Sequence, residues 1–297
     1  VYKRQVQELI KKADIALYEA KKGGKNRIEF YDENVEATSF KRLDLEKNMR
    51  YATTNSCQEF EVYYQPIVDI SKPGDPCSGA EALIRWNSEA MGMISPSEFI
   101  PLAEYLGLIN PIGSFALKEA CHRCKYWNDM GHPEYHVNVN LSVVQLLQND
   151  MKEKVREVLE ETKMDPANLT LEVTESLAIN DMKRMKKILS DIKSLGVKVA
   201  LDDFGTGYSS LNHIRELPID IIKIDRCFII DIGKDEYAEA FVKMVSELAE
   251  TIGVRICVEG VEETEQVEKL RSMKVQYIQG YYYGKPMRAE DFEKKYL

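Results

Sequence analysis

Short β-branched and aliphatic runs in this chain break off, again and again, at a carboxylate or an amide. The sharpest is residues 197–211, where Val-Lys-Val-Ala-Leu stops at Asp202 and Asp203 and the turn Phe204-Gly205-Thr206-Gly207 follows. The same grammar recurs in residues 79–86, 137–142, 169–175, 221–225 and 256–259. Two adjacent carboxylates at a strand end repel each other and are costly to desolvate unless they share a cation. Polar groups converging from several strand ends are what a metal-dependent site on a barrel needs.

Between these runs lie amphipathic stretches. Strands are expected over residues 60–70 and 79–86, and helices over 114–130, 181–195, 237–252 and, last, 262–273. Ser95-Pro96-Ser97-Glu98 supplies an N-cap, a Pro at the first helical position and a Glu reaching back, opening a helix through Phe99, Ile100, Ala103 and Leu106. Over 181–195 the inward set is Met182, Met185, Ile188, Leu189 and Ile192; Gly196 ends that helix and Gly253 the next. The alternation gives about eight βα units, the count of a TIM-like barrel. An open doubly wound sheet is the alternative fold, but no G-x-G-x-x-G follows the first strand.

The chain opens without Met and reads as a piece of something longer. A helix over residues 7–25, with Leu9, Ile10, Ala13, Ala16 and Leu17 on one face, and a strand over 27–31 are too little for a domain. They read as the end of an upstream fold (residues 1–35). A helix over about 41–53, within a linker spanning 36–57, then leads to the main body, 58–297.

Composition narrows the function. Apolar residues make up 44% and charged residues 30%, an ordinary globular balance. The net charge of −9 argues against a surface that coats nucleic acid, yet leaves room for a small anionic substrate held through divalent cations. No apolar run reaches membrane-spanning length, so no membrane contact is expected and a cytoplasmic setting is the default. Six scattered cysteines suit reduced, cytosolic usage. Cys121-His122-Arg123-Cys124 has a zinc-like spacing but lies in a helical pattern with no second ligand pair, so it reads as helix.

Strand periodicity shows which side chains can meet. Glu81, Leu83 and Arg85 share one face, opposite Ala82, Ile84 and Trp86, and the polar set faces the barrel interior. Asn138, Asn140 and Ser142 likewise oppose Val137, Val139 and Leu141; Lys223 and Asp225 oppose Ile222 and Ile224. So many buried charges must neutralise one another or bind metal. Any single one reads more readily as a structural ion pair; the repetition over six strands favours a site. Glu81, Asn140, Glu172 and Asp202 are oxygen donors suited to Mg²⁺ or Mn²⁺, and Asp203 and Glu259 can hold a second ion. Two ions can clamp a phosphodiester displacement, with Lys223 near the attacking water and Arg85 on a phosphate oxygen.

Glu81-Ala82-Leu83-Ile84-Arg85-Trp86 together with Asp202-Asp203-Phe204-Gly205-Thr206-Gly207-Tyr208 closely resembles the EAL-domain phosphodiesterases of bacterial cyclic-di-GMP signalling. The resemblance extends through Tyr64-Gln65-Pro66, Glu172-Val173-Thr174-Glu175, Lys223-Ile224-Asp225, Glu259-Gly260-Val261-Glu262 and Gln279-Gly280, and covers about residues 40–297. Residues 13–27 resemble the closing helix and strand of a GGDEF domain without its signature loop. The resemblance implies a modified TIM (β/α)8 barrel with an antiparallel first strand, and two ions, Mg²⁺ or Mn²⁺, serving hydrolysis of cyclic-di-GMP to linear pGpG. It gives Glu81, Asn140, Glu172, Asp202, Asp203 and Glu259 as metal ligands, with Lys223 and Gln279 positioning water. Gln65, Leu83, Arg85 and Asp225 would contact the ligand, and Glu175 would serve the loop that couples metal binding to homodimerisation. Two other readings stand beside it: a receptor that binds cyclic-di-GMP without cleaving it, and an enolase-like barrel with Lys223 as base.

Overall fold

From residue 60 onward the alternating runs become strands, and eight of the strands close on themselves. The computed structural model describes residues 41–175, 182–206 and 215–297, the backbone of 33–40, and isolated positions before 32. The barrel consists of β1 (Phe60–Asp69), β2 (Cys77–Ser88), β4 (His136–Asn140), β5 (Leu169–Thr174), β6 (Lys198–Phe204), β7 (Ile221–Ile224), β8 (Arg255–Val258) and β9 (Tyr277–Gln279). β1 runs antiparallel to both its neighbours, β2 and β9, and the remaining barrel ladders are parallel. The segment between β1 and β2 is too short for a helical crossover, which forces the reversal. β3 (Gly92–Ile94) is a hairpin extension on the end of β2.

Around the barrel lie α1 (Glu33–Thr54), α2 (Pro96–Leu106), α3 (Ile109–Asp129), α4 (Val143–Leu146), α5 (Met151–Thr162), α6 (Met182–Lys193), α7 (Glu236–Ile252), α8 (Thr264–Ser272) and α9 (Ala289–Tyr296). The main core is the outward face of the strands, including Val137, Leu171, Val199, Ile222, Ile256 and Ile278, packed under the helices. A second cluster joins Leu45, Met49 and Ala52 of α1 to Phe60, Trp86, Phe99 and Ile112. The Trp86 and Phe60 rings stack at 5.5 Å, and the Trp86 indole donates to Glu59 at 2.9 Å.

Several expectations shift. Pro96 does stand at the start of α2, but the Ser95 hydroxyl pairs with that of Ser97 at 2.8 Å, and Glu98 meets Lys41 at 2.6 Å instead of reaching back. α3 starts earlier than expected because Ile109 and Ile112 bury themselves in the second cluster. The helix expected last is followed by α9, whose Phe292 is fully buried and stacks on Trp127 at 4.7 Å. In α6, Met185, Leu189 and Ile192 are buried and Met182 and Ile188 half-buried. Cys121 and Cys124 are buried in α3, the Cys124 thiol 3.4 Å from the Tyr135 carbonyl. The helix expected over 7–25 and the strand over 27–31 lie, apart from isolated positions, outside the described residues; Leu9, Ile10 and Leu17 among those positions are exposed.

Candidate active site

Lys223, at the centre of β7, points into the barrel and is fully buried. Its Nζ lies 2.6 Å from Glu259, 2.7 Å from Glu172, and 3.4 Å from both Glu81 and Asp202. The carboxylates come from β2, β5, β6 and the end of β8, as the period-two pattern requires. Amides complete the floor. Asn138 donates to Glu172 at 2.7 Å, while Asn140 and Gln279 donate to Glu81 at 2.5 and 2.6 Å. Gln279 also donates to Gln65 at 3.0 Å, and Gln65 to the Gly284 carbonyl at 3.2 Å. Gln279 reaches this position because Gly280 follows it: a Cβ there would lie 2.0 Å from the Val261 carbonyl oxygen.

One ammonium faces four carboxylates, and the titration of the group reflects that imbalance. Burial and the neighbouring carboxylates push Glu172 well up, and burial with Asp202 and Glu81 takes Glu259 to about 7. Glu81 goes the other way: burial opposes ionisation, but Lys223 and the Gln279 and Asn140 amides outweigh it. Lys223 titrates above its usual range, because the four carboxylates overcome the burial that would lower it.

The paired aspartates separate at a β-bulge. The ladder runs Leu201 to Ile222 and then Phe204 to Ile224, leaving one extra residue on β6. Asp202 is buried and inward, whereas Asp203 adopts φ 55° and is exposed at the rim, its N–H donating to Asp202 at 2.9 Å. Aspartate is among the few non-glycine residues that tolerate this left-handed backbone. Partial burial, Asp202 and Asp225 raise the Asp203 carboxyl. Glu175, buried beneath, accepts the Gly205 N–H at 2.8 Å. Residues 207–214 lie outside the described residues.

Two clefts meet at Leu83. One, of about 250 Å³, opens over Glu81, Asp202, Glu259 and Gln279 and is edged by Arg226 and Tyr281. The other, of about 220 Å³, passes Arg85, Asn140 and Glu172 beneath Glu104. Arg85 sits at the rim, donating to the Ile84 carbonyl at 2.9 Å with its guanidinium 5.6 Å from the Tyr63 ring centre. Asp203 and Asp225 stand outside both clefts; Asp225 caps the 3-10 turn Arg226–Phe228 through the Cys227 N–H at 2.9 Å. Arg226, Tyr281, Asn138 and Glu104, which accepts from Ser142 at 2.6 Å, were not singled out as site residues from the sequence. Asn138 was visible there as an inward amide; Arg226 and Tyr281 reach the cleft from turns, where no periodicity points.

Among the described residues no three His, Cys, Asp or Glu side chains form a ready metal cage, since the Lys223 ammonium stands where the carboxylates converge. The donor set still suits a hard cation, being all oxygen with excess negative charge, and beside it Gln279 Oε1 is buried with no hydrogen-bond partner among the described residues.

The sequence profile of the EAL domain family matches residues 47–286. The chain belongs to the EAL domain family. Among curated proteins, this EAL domain is 38% identical over 283 residues to the bifunctional diguanylate cyclase/cyclic di-GMP phosphodiesterase MucR of Pseudomonas aeruginosa, covering 95% of this chain and 41% of that protein. It is 34% identical to the cyclic di-GMP phosphodiesterase PdeR of Escherichia coli, covering 97% and 43%. The chain thus spans about two fifths of these relatives. The solved PaMucR phosphodiesterase in complex with c-di-GMP superposes with a TM-score of 0.79 at 38% identity, over 84% of this chain and 99% of that one. An EAL domain protein from Listeria monocytogenes superposes with a TM-score of 0.72 at 30% identity, over 84% and 97%.

Proposed function

We propose that this EAL domain hydrolyses cyclic-di-GMP to linear pGpG with the help of two divalent ions, Mg²⁺ or Mn²⁺. The observation that carries this reading is the group of four carboxylates from separate strands around a single buried ammonium at the mouth of the barrel. Relatives that act on the same cyclic dinucleotide support the substrate. Glu81, Asn140, Glu172 and Asp202 would hold one ion, Asp203 and Glu259 the other. Bound there, the ions supply Lewis acidity at the scissile phosphate and acidify the attacking water.

The protein's own groups do the rest. Lys223, held charged by its carboxylates, orients the attacking water and offsets charge gathering on the phosphate. Gln279 keeps Glu81 ionised through its amide and presents its unpartnered carbonyl oxygen to that water. Gln65, Leu83 and Arg85 line the path of the dinucleotide, and Asp225 acts from the rim. Glu175 holds the loop through which we expect a homodimer to form. Six free cysteines among the described residues fit a cytoplasmic setting, and no described helix is long and apolar enough to cross a membrane.

Chromatography of cyclic-di-GMP incubated with the purified chain tests the reading. Linear pGpG should accumulate with Mg²⁺ or Mn²⁺ and not with chelator. Glu81→Gln, which replaces a hard anionic ligand by an amide, should keep the fold and lose at least about a hundredfold in turnover. Cleavage indifferent to chelator, or a folded Glu81→Gln protein with full activity, would sink the assignment.

A further inference from the structure

Gly205, two residues beyond Asp203, rests on aromatic rings from outside the barrel. Phe228, in the turn after β7, and Phe241, on α7, stack with ring centres 3.9 Å apart and planes 13° from parallel. Phe204 lies over Phe241 at 6.2 Å and 24°. A Cβ on Gly205 would lie 2.5 Å from Phe228 Cε2 and 2.6 Å from Phe241 Cζ, so the backbone is seated on the ring edges. Gly205 also has φ 98°, a conformation open to glycine. From the other side Glu175 takes the Gly205 N–H, and Thr206 turns back to the Asp203 carbonyl through its N–H at 3.2 Å and its hydroxyl at 2.8 Å.

We infer that Phe228 and Phe241 are positioning residues for the metal site: by seating Gly205 they hold Asp203 in the left-handed conformation that separates its carboxylate from that of Asp202. Aspartate tolerates φ 55° without preferring it, so a chain released at Gly205 relaxes toward extended angles and carries the Asp203 carboxylate away from the rim. The rings have no polar atom and stand outside both clefts, so they act only through that backbone. Both are half-buried at the margin of the main core, so trimming either to Leu loses contacts at that margin and none at the barrel's polar interior. The inference rests on the two-ion reading proposed above.

The test is equilibrium Mn²⁺ binding by calorimetry, without substrate, on Phe241→Leu in the native background and in an Asp203→Asn background. Phe228→Leu is carried in parallel, and thermal melts verify folding. Phe241→Leu should weaken Mn²⁺ binding about tenfold in the native background, as losses of supporting groups behind a ligand do. In the Asp203→Asn background the same change should cost less than about twofold, because the residue it acts through is already altered. Equal losses in both backgrounds, or native affinity in both single Phe variants, would overturn the inference while leaving the two-ion reading intact. A native chain that takes up no Mn²⁺ and cleaves without metal would instead bring down that reading, and the inference with it.

Discussion

Among the described residues Lys223 is the one cation within salt-bridge distance of these four carboxylates, fully buried and within 3.4 Å of each. Removing one partner of a buried charge group leaves the others uncompensated, at a cost of about 3–5 kcal/mol. Lys223→Met should therefore melt well below the native chain without metal, by roughly 10 °C. On the two-ion reading Mn²⁺ would bind the folded site and not the unfolded chain, and should restore much of the loss without restoring turnover. Melts with and without Mn²⁺ check this; an unchanged melting temperature, or no recovery with the ion, counts against Lys223 as the internal counter-ion. The residues of this group were legible in sequence because a strand places every second side chain on one face. Glu81, Asn138, Glu172, Asp202 and Lys223 all follow that rule. What it did not convey is the interior geometry: that Lys223 would sit at the centre, or that Arg85 would lie over Tyr63.

At the scale of elements, β6 and its loop depend on a bulge that no residue pattern announced. An extra residue in the ladder and a left-handed Asp203 set its carboxylate apart from that of Asp202. Glu175, at the end of the neighbouring strand and tied by the resemblance to this loop, accepts the Gly205 N–H. Glu175→Ala removes that acceptor. The catalytic rate and the Mn²⁺ affinity should then fall together, each about tenfold, while cyclic-di-GMP binding in Ca²⁺ changes less than twofold. Rate and metal dependence matching the native chain would show that the loop needs no such support. Strand positions were the more legible elements, since each ends where apolar alternation meets a polar group. Short helices were less so. α9 buries chiefly Ala289 and Phe292 over eight residues, too few for a periodicity to stand out. The capping residues before α2 stand where the sequence predicts but take other partners, because Lys41 from α1 claims Glu98.

Taken whole, the barrel interior is polarised along its axis. The carboxylates lie toward the ends of the parallel strands, whereas His136, Lys198 and Arg255 open β4, β6 and β8 at the other end, beside Tyr277 and the final residue of β1, Asp69. His136 is buried there, its ring 6.1 Å from that of Tyr277. Burial, Lys198 and Arg255 hold its pKa down to about 4, against the weaker upward pull of Ser78 and Asp69. The folded-state pKa is thus below the unfolded value of about 6.5, so unfolding takes up a proton between the two. No penalty arises above pH ~6.5; as pH falls toward 4 the native chain loses up to about 3 kcal/mol through this one group. Other groups titrate in the same window, so the measurement is a difference. Urea unfolding from pH 8 to pH 4 should be followed for the native chain and for His136→Gln, which keeps a polar side chain but cannot take up the proton. The native chain's stability relative to the variant should stay level above pH ~7 and drop progressively below ~6.5. A difference that stays constant down to pH 4 would mean that His136 is protonated as readily in the barrel as in the unfolded chain, and that the basic end does not hold it neutral.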